Sequence, residues 1–248
     1  MKKLLTIPLA VSVLLLGGCS FLGGGTYTSR AYYYDYSEME FIQLEEPEEG
    51  QTTAIIKTSL GDITAVLYPE YAPKTVDNFV NRAKEGYYDN TKVFAIFENY
   101  YAATGSSSED GSTGASNDGN LIENEYSPKL WPFKGALCSF SPTTGYGDSR
   151  YMICNTFDFT DEDIAEMKNI TNADGEQLFP DRLIDAWLEN GAIPTFSGMF
   201  TVFGQIVEGM EVYDEIMDVG SDSETYKPNE DIVIYTVEIT EYTKDTAQ

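Results

Sequence analysis

Two short apolar runs on either side of a glycine turn constrain the fold of this chain most. Ile55 and Ile56 precede the turn at Leu60, Gly61 and Asp62, and the run ITAVL follows it. Alternating apolar and β-branched residues about a glycine turn are typical of a β-hairpin. Similar short runs recur at residues 93–97, 100–103, 136–140, 151–154, 200–206 and 232–242. So many short strands predict a mostly β domain, either a barrel or a sandwich.

Few helices are predicted beside these strands. Pro73 begins a pattern in which residues 76, 79, 80 and 83 are apolar, and Gly86 ends it. Apolar residues at this spacing form one face of a helix, which we expect to cover an open end of the sheet. Residues 159–191 predict a separate helical insert, with one helix near Asp161 and another that begins at Pro180 and ends at Gly191.

The first nineteen residues follow the pattern of a targeting segment. Lys2 and Lys3 precede an apolar run over residues 4–16, which is shorter than the about 20 residues that span a bilayer. The run ends in LGGC, which resembles a bacterial lipobox with Cys19 as the lipid acceptor. We therefore predict a signal peptide over residues 1–18 and a lipid-anchored protein on the extracytoplasmic face of the cell membrane. An ordinary signal peptide with a chance cysteine is the alternative.

Residues 19–52 have the composition of a linker. They combine three glycines at 23–25, a tyrosine cluster and the acidic run EEPEE at 45–49. This composition predicts a flexible segment, and the alternative is that its tyrosines pack on the domain or on peptidoglycan. We expect the folded domain to occupy residues 53–243 and a short tail to occupy 244–248. Within the domain, residues 105–120 predict a solvated loop, since their acidic residues lack the spacing of a calcium loop.

The charge of the chain excludes one class of partner. The net charge is −26, from 15 Lys and Arg residues and 41 Asp and Glu residues. Proteins bind nucleic acid with Lys and Arg side chains that displace counterions, so we expect no nucleic acid partner. A high negative charge also keeps a protein soluble without any specific ligand.

Histidine is absent, and this excludes several kinds of site. A Ser-His-Asp triad, a Cys-His pair and a histidine metal site all require it, and we expect no metal and no cofactor. Besides Cys19, the cysteines are Cys138 and Cys154, each inside an apolar run. We expect two buried thiols, with a disulfide as the alternative in an oxidising compartment.

Three segments of the chain resemble the cyclophilins, the β-barrel peptidyl-prolyl isomerases. They read SLGDITAVLYPEYAPKTVDNFVNRAKEGYYDN, GALCSFSPTTGYGDSRYMI and TVFGQIVEGMEVYDEI. They occur in the family's order, and the resemblance extends over about residues 53–242. It implies a closed antiparallel β-barrel capped by helices, with residues 159–191 as a helical insert.

The resemblance also implies an activity, rotation about the peptide bond before proline. The barrier is about 18–20 kcal/mol because rotation breaks amide resonance, and uncatalysed exchange takes about tens to hundreds of seconds. A catalyst needs an apolar pocket for the proline ring and a hydrogen-bond donor aimed at the proline nitrogen. In cyclophilins an arginine is that donor.

This sequence departs from the family at the arginine. Ala95 stands at its position, and Ala103 stands where a substrate-binding glutamine is expected. Arg150 replaces a glutamine on a neighbouring strand, and we consider it a substitute catalytic donor; the alternative is a rim arginine that pairs with nearby acids. The other residues at substrate-binding positions are Tyr100, Tyr101, Phe140, Ser141, Met152, Phe196 and Phe200. The resemblance therefore implies a pocket that is still apolar but has lost most of its hydrogen-bonding groups.

These observations predict a membrane-anchored, isomerase-like foldase that acts on proline-containing segments of unfolded exported proteins. Its catalysis is expected to be weakened, because removing one preorganised donor commonly costs about a hundredfold to a thousandfold in rate. The alternative is a noncatalytic cyclophilin-like module that binds peptides or a partner protein. A solute-binding lipoprotein of a transporter would fit the anchor but not the barrel motifs.

Overall fold

One antiparallel sheet of nine strands forms the framework of the domain in this computed structural model, which describes residues 34–156, 158–171 and 175–244. The predicted signal peptide and Cys19 lie outside the described residues. The strand order is β3-β11-β1-β2-β10-β7-β9-β5-β4, and β6 and β8 pair separately. The strands are β1 (Thr52–Thr58), β2 (Gly61–Leu67), β3 (Thr91–Lys92), β4 (Ala95–Phe97), β5 (Tyr101–Thr104), β6 (Ile122–Glu123), β7 (Ala136–Ser139), β8 (Tyr146–Gly147), β9 (Tyr151–Cys154), β10 (Thr201–Glu208) and β11 (Val233–Glu241).

The two end strands of this sheet are consecutive in the chain. β3 pairs with β11, β4 pairs with β5, and only Val93 and Phe94 separate β3 from β4. The amide of Val93 donates to the carbonyl of Ile232 at 3.0 Å, and the amide of Phe94 donates to the carbonyl of Ala103 at 2.9 Å. The strand predicted over residues 93–97 is therefore divided: Val93 bonds to the segment before β11, and the chain from Phe94 onward pairs with β5. The structure thus has a curled sheet whose edges the chain itself connects, and the closed barrel stays a prediction.

Four helices accompany the sheet in the described residues: α1 (Pro73–Lys84), α2 (Asp161–Asn169), α3 (Asp181–Asn190) and α4 (Met210–Asp218). α1 begins at Pro73 as predicted, and the side chain of its N-cap residue makes no capping hydrogen bond. The carboxylate of Glu125 caps the helix instead, since it accepts from the amides of Lys74 and Thr75 at 3.1 and 2.9 Å. A carboxylate at this end satisfies free N–H groups and favours the helix dipole. None of the described helices is long and apolar enough to cross a membrane.

Both faces of the sheet are buried around β5 and β9. Successive side chains of a strand point to opposite faces, so Ala102 and Ile153 belong to an inner core that also contains Phe79 of α1. The ring of Phe79 lies 5.3 Å from that of Tyr88 and 5.2 Å from that of Phe203. The residues that alternate with Ala102 and Ile153 face the other way and form a second apolar cluster, which we call the outer face.

A third apolar cluster joins the predicted insert to the segment that precedes β1. Its buried members include Met39, Trp131, Leu183 and Trp187. We call residues 34–44 the arm. Two arm tyrosines, Tyr34 and Tyr36, place their rings 5.6 and 6.1 Å from that of Trp131. The arm is thus part of the folded domain.

Gln43 fixes the arm by hydrogen bonds in the interior. Its amide nitrogen donates to the Trp131 carbonyl and to Oε1 of Gln205, both at 2.9 Å, and its own Oε1 accepts from the Trp131 amide at 2.6 Å. The flexible linker predicted over residues 19–52 is therefore wrong for the arm, and the alternative of packing on the domain describes Tyr34 and Tyr36. Composition could not show this, because Trp131 lies 88 residues further along the chain.

Replacing Gln43 with alanine should lower the free energy of unfolding by about 1–3 kcal/mol, because buried groups of Trp131 and Gln205 lose their partner. Urea unfolding followed by circular dichroism measures this. Gln51→Ala is the control, since the side chain of Gln51 accepts a single, exposed hydrogen bond, and we expect a change within about 0.5 kcal/mol. Equal stability of Gln43→Ala and the native chain would show that the arm does not stabilise the domain.

Candidate functional site on the outer face

Strand register brings the positions named by the resemblance into one row. Ala95 of β4 lies opposite Ala103 of β5, Ala103 lies opposite Met152 of β9, and Met152 lies opposite Cys138 of β7. All four side chains belong to the outer face and are buried. The row therefore unites the predicted arginine position, the predicted glutamine position and the predicted pocket methionine. No side chain in it donates a strong hydrogen bond.

Aromatic rings continue from this row in a line. The ring of Phe196 lies 5.9 Å from that of Tyr101 and 5.0 Å from that of Phe200. On the other side, Phe97 stacks on Tyr101 at 4.8 Å and on Tyr226 at 4.0 Å. We call these five rings the aromatic strip. Phe97 and Tyr226 were not predicted as site residues, although Phe97 could have been found from its position two residues after Ala95.

Tyr100 is the one predicted pocket aromatic that stands apart from the outer face. It lies in the turn before β5 and is 44 % exposed, whereas Tyr101 is buried. Adjacent residues of an extended chain point in opposite directions, so one of the two tyrosines must leave the site. Tyr100 therefore lies at the solvent boundary, and Tyr101 belongs to the buried base of the site, which we call the floor.

Phe140 and Ser141 are two of the predicted substrate-binding residues. Phe140 is buried, and its ring lies 6.4 Å from that of Phe94. The hydroxyl of Ser141 lies 3.1 Å from the Thr143 carbonyl and 3.0 Å from the Tyr146 carbonyl, and it accepts from the Thr143 amide at 3.2 Å. Phe140 thus packs within the outer face, and the Ser141 hydroxyl is engaged by its own turn.

Arg150 is buried with a carboxylate partner. The side chains of Arg150 and Asp148 are 4 % and 3 % exposed. Nε of Arg150 donates to Oδ1 of Asp148 at 3.0 Å, Nη2 donates to Oδ2 at 2.5 Å, and Nη1 donates to the Gly111 carbonyl at 2.9 Å. Three of the five N–H groups of the guanidinium are therefore used. The Asp148 carboxylate balances its charge in a bidentate ion pair. An arginine paired with nearby acids was the predicted alternative, but at the rim of the site and not in the interior.

The predicted solvated loop over residues 105–120 packs on this pair, and we call it the cover loop. A Cβ on Gly111 would overlap the ring of Phe94, and one on Gly114 would overlap the Asp148 carboxylate. Gly111 also has a φ of +73°, which only glycine adopts without strain. The amide of Ala115 donates to Oγ of Ser149 at 3.0 Å. The cover loop therefore approaches the site closely because glycines stand at the contact points.

The two cysteines belong to the outer face and are free thiols. Cys138 and Cys154 are free and fully buried, and their sulfur atoms are 3.5 Å apart. Burial in apolar surroundings raises the pKa of the Cys154 thiol well above its usual value. A neutral buried thiol is a poor nucleophile, which favours a packing role for Cys154.

The buried Asp148–Arg150 pair should be sensitive to loss of one partner. Asp148→Ala leaves a buried guanidinium without its carboxylate, and we expect the free energy of unfolding to fall by about 3–5 kcal/mol. Adding Arg150→Gln should restore most of that loss, since no charge is then buried. Glu238→Ala removes one partner of the exposed pair with Lys57 and should cost less than about 1 kcal/mol. Denaturant titration of the four chains tests this, and an Asp148→Ala cost no larger than that of Glu238→Ala would contradict it.

Comparison with known proteins places this geometry in a family. The model of the family "Cyclophilin type peptidyl-prolyl cis-trans isomerase/CLD" matches residues 53–239. A Streptococcus pyogenes protein named as a bifunctional phosphatase/peptidyl-prolyl cis-trans isomerase is 33 % identical over 204 residues. That match covers 82 % of this chain but only 42 % of the streptococcal protein. A Staphylococcus aureus protein named as a peptidyl-prolyl cis-trans isomerase is 29 % identical over 197 residues, which are 79 % of this chain and 96 % of that protein.

Solved structures agree on the fold. A cyclophilin-type peptidyl-prolyl cis-trans isomerase of Cryptosporidium parvum has a TM-score of 0.60 and 21 % identity, over 78 % of this chain and 99 % of that one. The same protein crystallised in the presence of the dipeptide Ala-Pro gives a TM-score of 0.59. Because the family model spans the sheet, α1 and the outer face, this chain belongs to the cyclophilin-type peptidyl-prolyl cis-trans isomerase family.

Proposed function

We propose that this chain is a lipid-anchored peptidyl-prolyl isomerase-like foldase that acts on proline-containing segments of exported proteins, with weakened catalysis. Membership of the cyclophilin-type family supports the reaction type. The observation that carries the weakened catalysis is the row on the outer face, where Ala95 takes the arginine position. The predicted substitute donor, Arg150, is bound to Asp148.

The reaction requires little chemistry from the protein. Twisting the X-Pro bond localises the lone pair on the proline nitrogen, and a donor that meets this lone pair only in the twisted state lowers the barrier. The apolar outer face supplies a surface for the proline ring. What it lacks is a free, charged donor, so most of the remaining acceleration comes from holding the ring and excluding water.

Arg150 is the best placed group to supply part of the missing donor. Gly111, whose carbonyl accepts from Arg150, lies against the ring of Phe94, the neighbour of Ala95. Two N–H groups of the guanidinium remain beyond the three bonds to Asp148 and Gly111. The ion pair with Asp148 holds the guanidinium in place, but it also neutralises the positive charge that a substrate would otherwise meet.

Substrate entry requires movement at the site. Met152, Phe196 and Phe140 are all buried in the described structure, so a proline ring reaches the floor only after a neighbouring group shifts. Phe140 and the cover loop, which both lie near the ring of Phe94, are the candidates for that shift. A slow opening step would lower the rate further without changing the chemistry.

A noncatalytic binding module is the second candidate. The burial of the floor and the pairing of Arg150 favour it, because both reduce catalysis while the aromatic strip retains a surface for apolar side chains. The two candidates differ in one measurable property, the rate of X-Pro isomerisation.

An isomerisation assay on an Ala-Pro peptide separates these candidates. We expect the native chain to accelerate exchange about a hundredfold to a thousandfold less than a cyclophilin that retains the arginine. Arg150→Gln should reduce this rate further if Arg150 is the donor. Ala95→Arg should raise kcat/KM by about a hundredfold, and Ala95→Gln, of similar bulk but uncharged, should not. Absence of any acceleration by the native chain, together with measurable peptide binding, would favour the module.

The membrane location is proposed from the N-terminal sequence alone. The LGGC run and the apolar segment before it support lipidation at Cys19. Expressed with its own N-terminus in a bacterial host, the native chain should incorporate a labelled fatty acid and sediment with membranes. Cys19→Ser should abolish both. If the serine variant were processed and located like the native chain, Cys19 would be a chance residue after an ordinary signal peptide.

A further inference from the structure

The segments that build the outer face contain very few cationic residues. No Lys or Arg occurs between Lys92 and Lys129, a stretch that includes β4, β5 and the cover loop. None occurs between Arg182 and Lys227, a stretch that includes Phe196, Phe200 and Tyr226. Between Lys134 and Lys168 the single cation is Arg150. Any charge that a bound peptide meets there depends on how Arg150 and the acidic residues are arranged.

Arg150 adds no net positive charge to this surface. Its guanidinium and the Asp148 carboxylate are both buried and joined by two hydrogen bonds, so the pair is neutral as a whole. The acidic residues around it are at the surface. Glu98 is exposed in the turn between β4 and β5, beside Tyr100 and the end of the aromatic strip at Phe97. The field at this end of the strip is therefore negative.

The segment that holds Tyr226 adds further negative charge to the same end. The Ile96 amide donates to the Tyr226 carbonyl at 2.9 Å, which fixes this segment along β4. Asp222 and Glu224 belong to it and are exposed; with the exposed Lys227 that follows Tyr226, the segment keeps one net negative charge. Hydrogen bonds from the side chain and amide of Thr225 lower the pKa of the Asp222 carboxyl, so it is ionised at neutral pH.

The cover loop has the same sign. Its Asp110 accepts hydrogen bonds from Ser112, which lower the pKa of that carboxyl to about 2. Glu109, its neighbour, pairs with Lys92 at 2.8 Å, and Lys92 also pairs with Asp231. Lys92 is thus shared between two carboxylates, and Asp110 is left as an exposed negative charge.

Flat aromatic faces beside carboxylates suit one type of side chain. The rings of Tyr226, Phe97 and Tyr101 stack at 4.0 and 4.8 Å and lead from the exposed edge toward the buried row. Lys and Arg place their apolar stems along such rings and their charged ends near acids, and the cation is also attracted by the ring face. An acidic peptide side chain would meet like charges and gain neither contact.

We propose that the outer face selects proline-containing segments that carry Lys or Arg close to the proline and discriminates against segments that carry Asp or Glu. This inference rests on the proposed function, since it specifies the substrate class of the same site. Carboxylates around a surface of low dielectric constant concentrate cationic ligands and repel anionic ones, and the effect weakens as salt screens it. The preference is therefore expected in both the affinity and the encounter rate.

Matched peptides test the proposal on the full chain in nonionic detergent. The peptides share one Ala-Pro bond and differ only in the residue before alanine, which is Lys, Gln or Glu. At about 20 mM salt we expect kcat/KM to be about tenfold higher for the Lys peptide than for the Glu peptide, with the Gln peptide between them. At about 500 mM salt the ratio should fall toward one.

Two variants assign the effect to this face. Glu98→Gln removes a carboxylate next to the aromatic strip and should reduce the Lys-to-Glu ratio at low salt by about twofold. Glu241→Gln removes another exposed carboxylate, at the far end of β11. β11 pairs with β3 at Val233, eight residues away from Glu241. It should leave the ratio unchanged. A ratio that responds equally to both variants would overturn the assignment to the outer face.

The outcomes separate this inference from the proposed function. Equal acceleration of all three peptides would overturn the charge preference and leave the isomerase proposal intact, and a ratio that persists at high salt would overturn its electrostatic origin. Acceleration of none of the peptides would overturn the isomerase proposal. In that case fluorescence anisotropy of labelled peptides measures the preference directly. Tighter binding of the Lys peptide would support it, and equal or weaker binding would overturn it.

Discussion

The burial of both faces of the strands β5, β7 and β9 is the constraint on which the rest of the structure depends. A strand sends alternate side chains to opposite sides, so Ala102 and Ile153 fill the inner core while Ala103 and Met152 lie in the outer face. Removing apolar surface from water stabilises by about 25 cal/mol per Å², so both faces contribute to folding. In this chain, the residues that a family member would use to hold a peptide thus also serve as core residues.

This double role explains how the single cation of the site is accommodated. A guanidinium close to an apolar cluster is costly unless its charge and its N–H groups are satisfied. Asp148 supplies the charge and two of the bonds, and the Gly111 carbonyl supplies a third. The cover loop reaches Arg150 only because Gly111 and Gly114 lack side chains. Site and loop are therefore coupled through one arginine, and a change in either alters the other.

Local patterns in the sequence predicted most of the framework. The hairpin of β1 and β2, the start of α1 at Pro73 and the strand Tyr151–Cys154 follow from periodicity and turn residues that lie close together in the chain. Contacts between distant segments were not predictable in this way. The arm was predicted as a linker because its partners, Trp131 and Gln205, are far away in sequence. Phe97 was not predicted as a site residue, since its partner Tyr226 lies in an irregular segment. The family resemblance identified Ala95 and Ala103 as site positions, but it did not predict that the side chains of the row are buried.

The packing of the arm also limits where this domain can work. Tyr34 follows Cys19 by fifteen positions, and a fully extended chain advances at most about 3.3–3.6 Å per residue. If Cys19 carries the proposed lipid, the folded body begins within about 50 Å of the bilayer surface, less than half the reach that a free segment up to β1 would allow. With that lipid, the domain would be held close to the point where exported chains leave the membrane. In a lipid-anchored chain, the two hydrogen bonds between Gln43 and Trp131 would therefore set a radius of action as well as a stability.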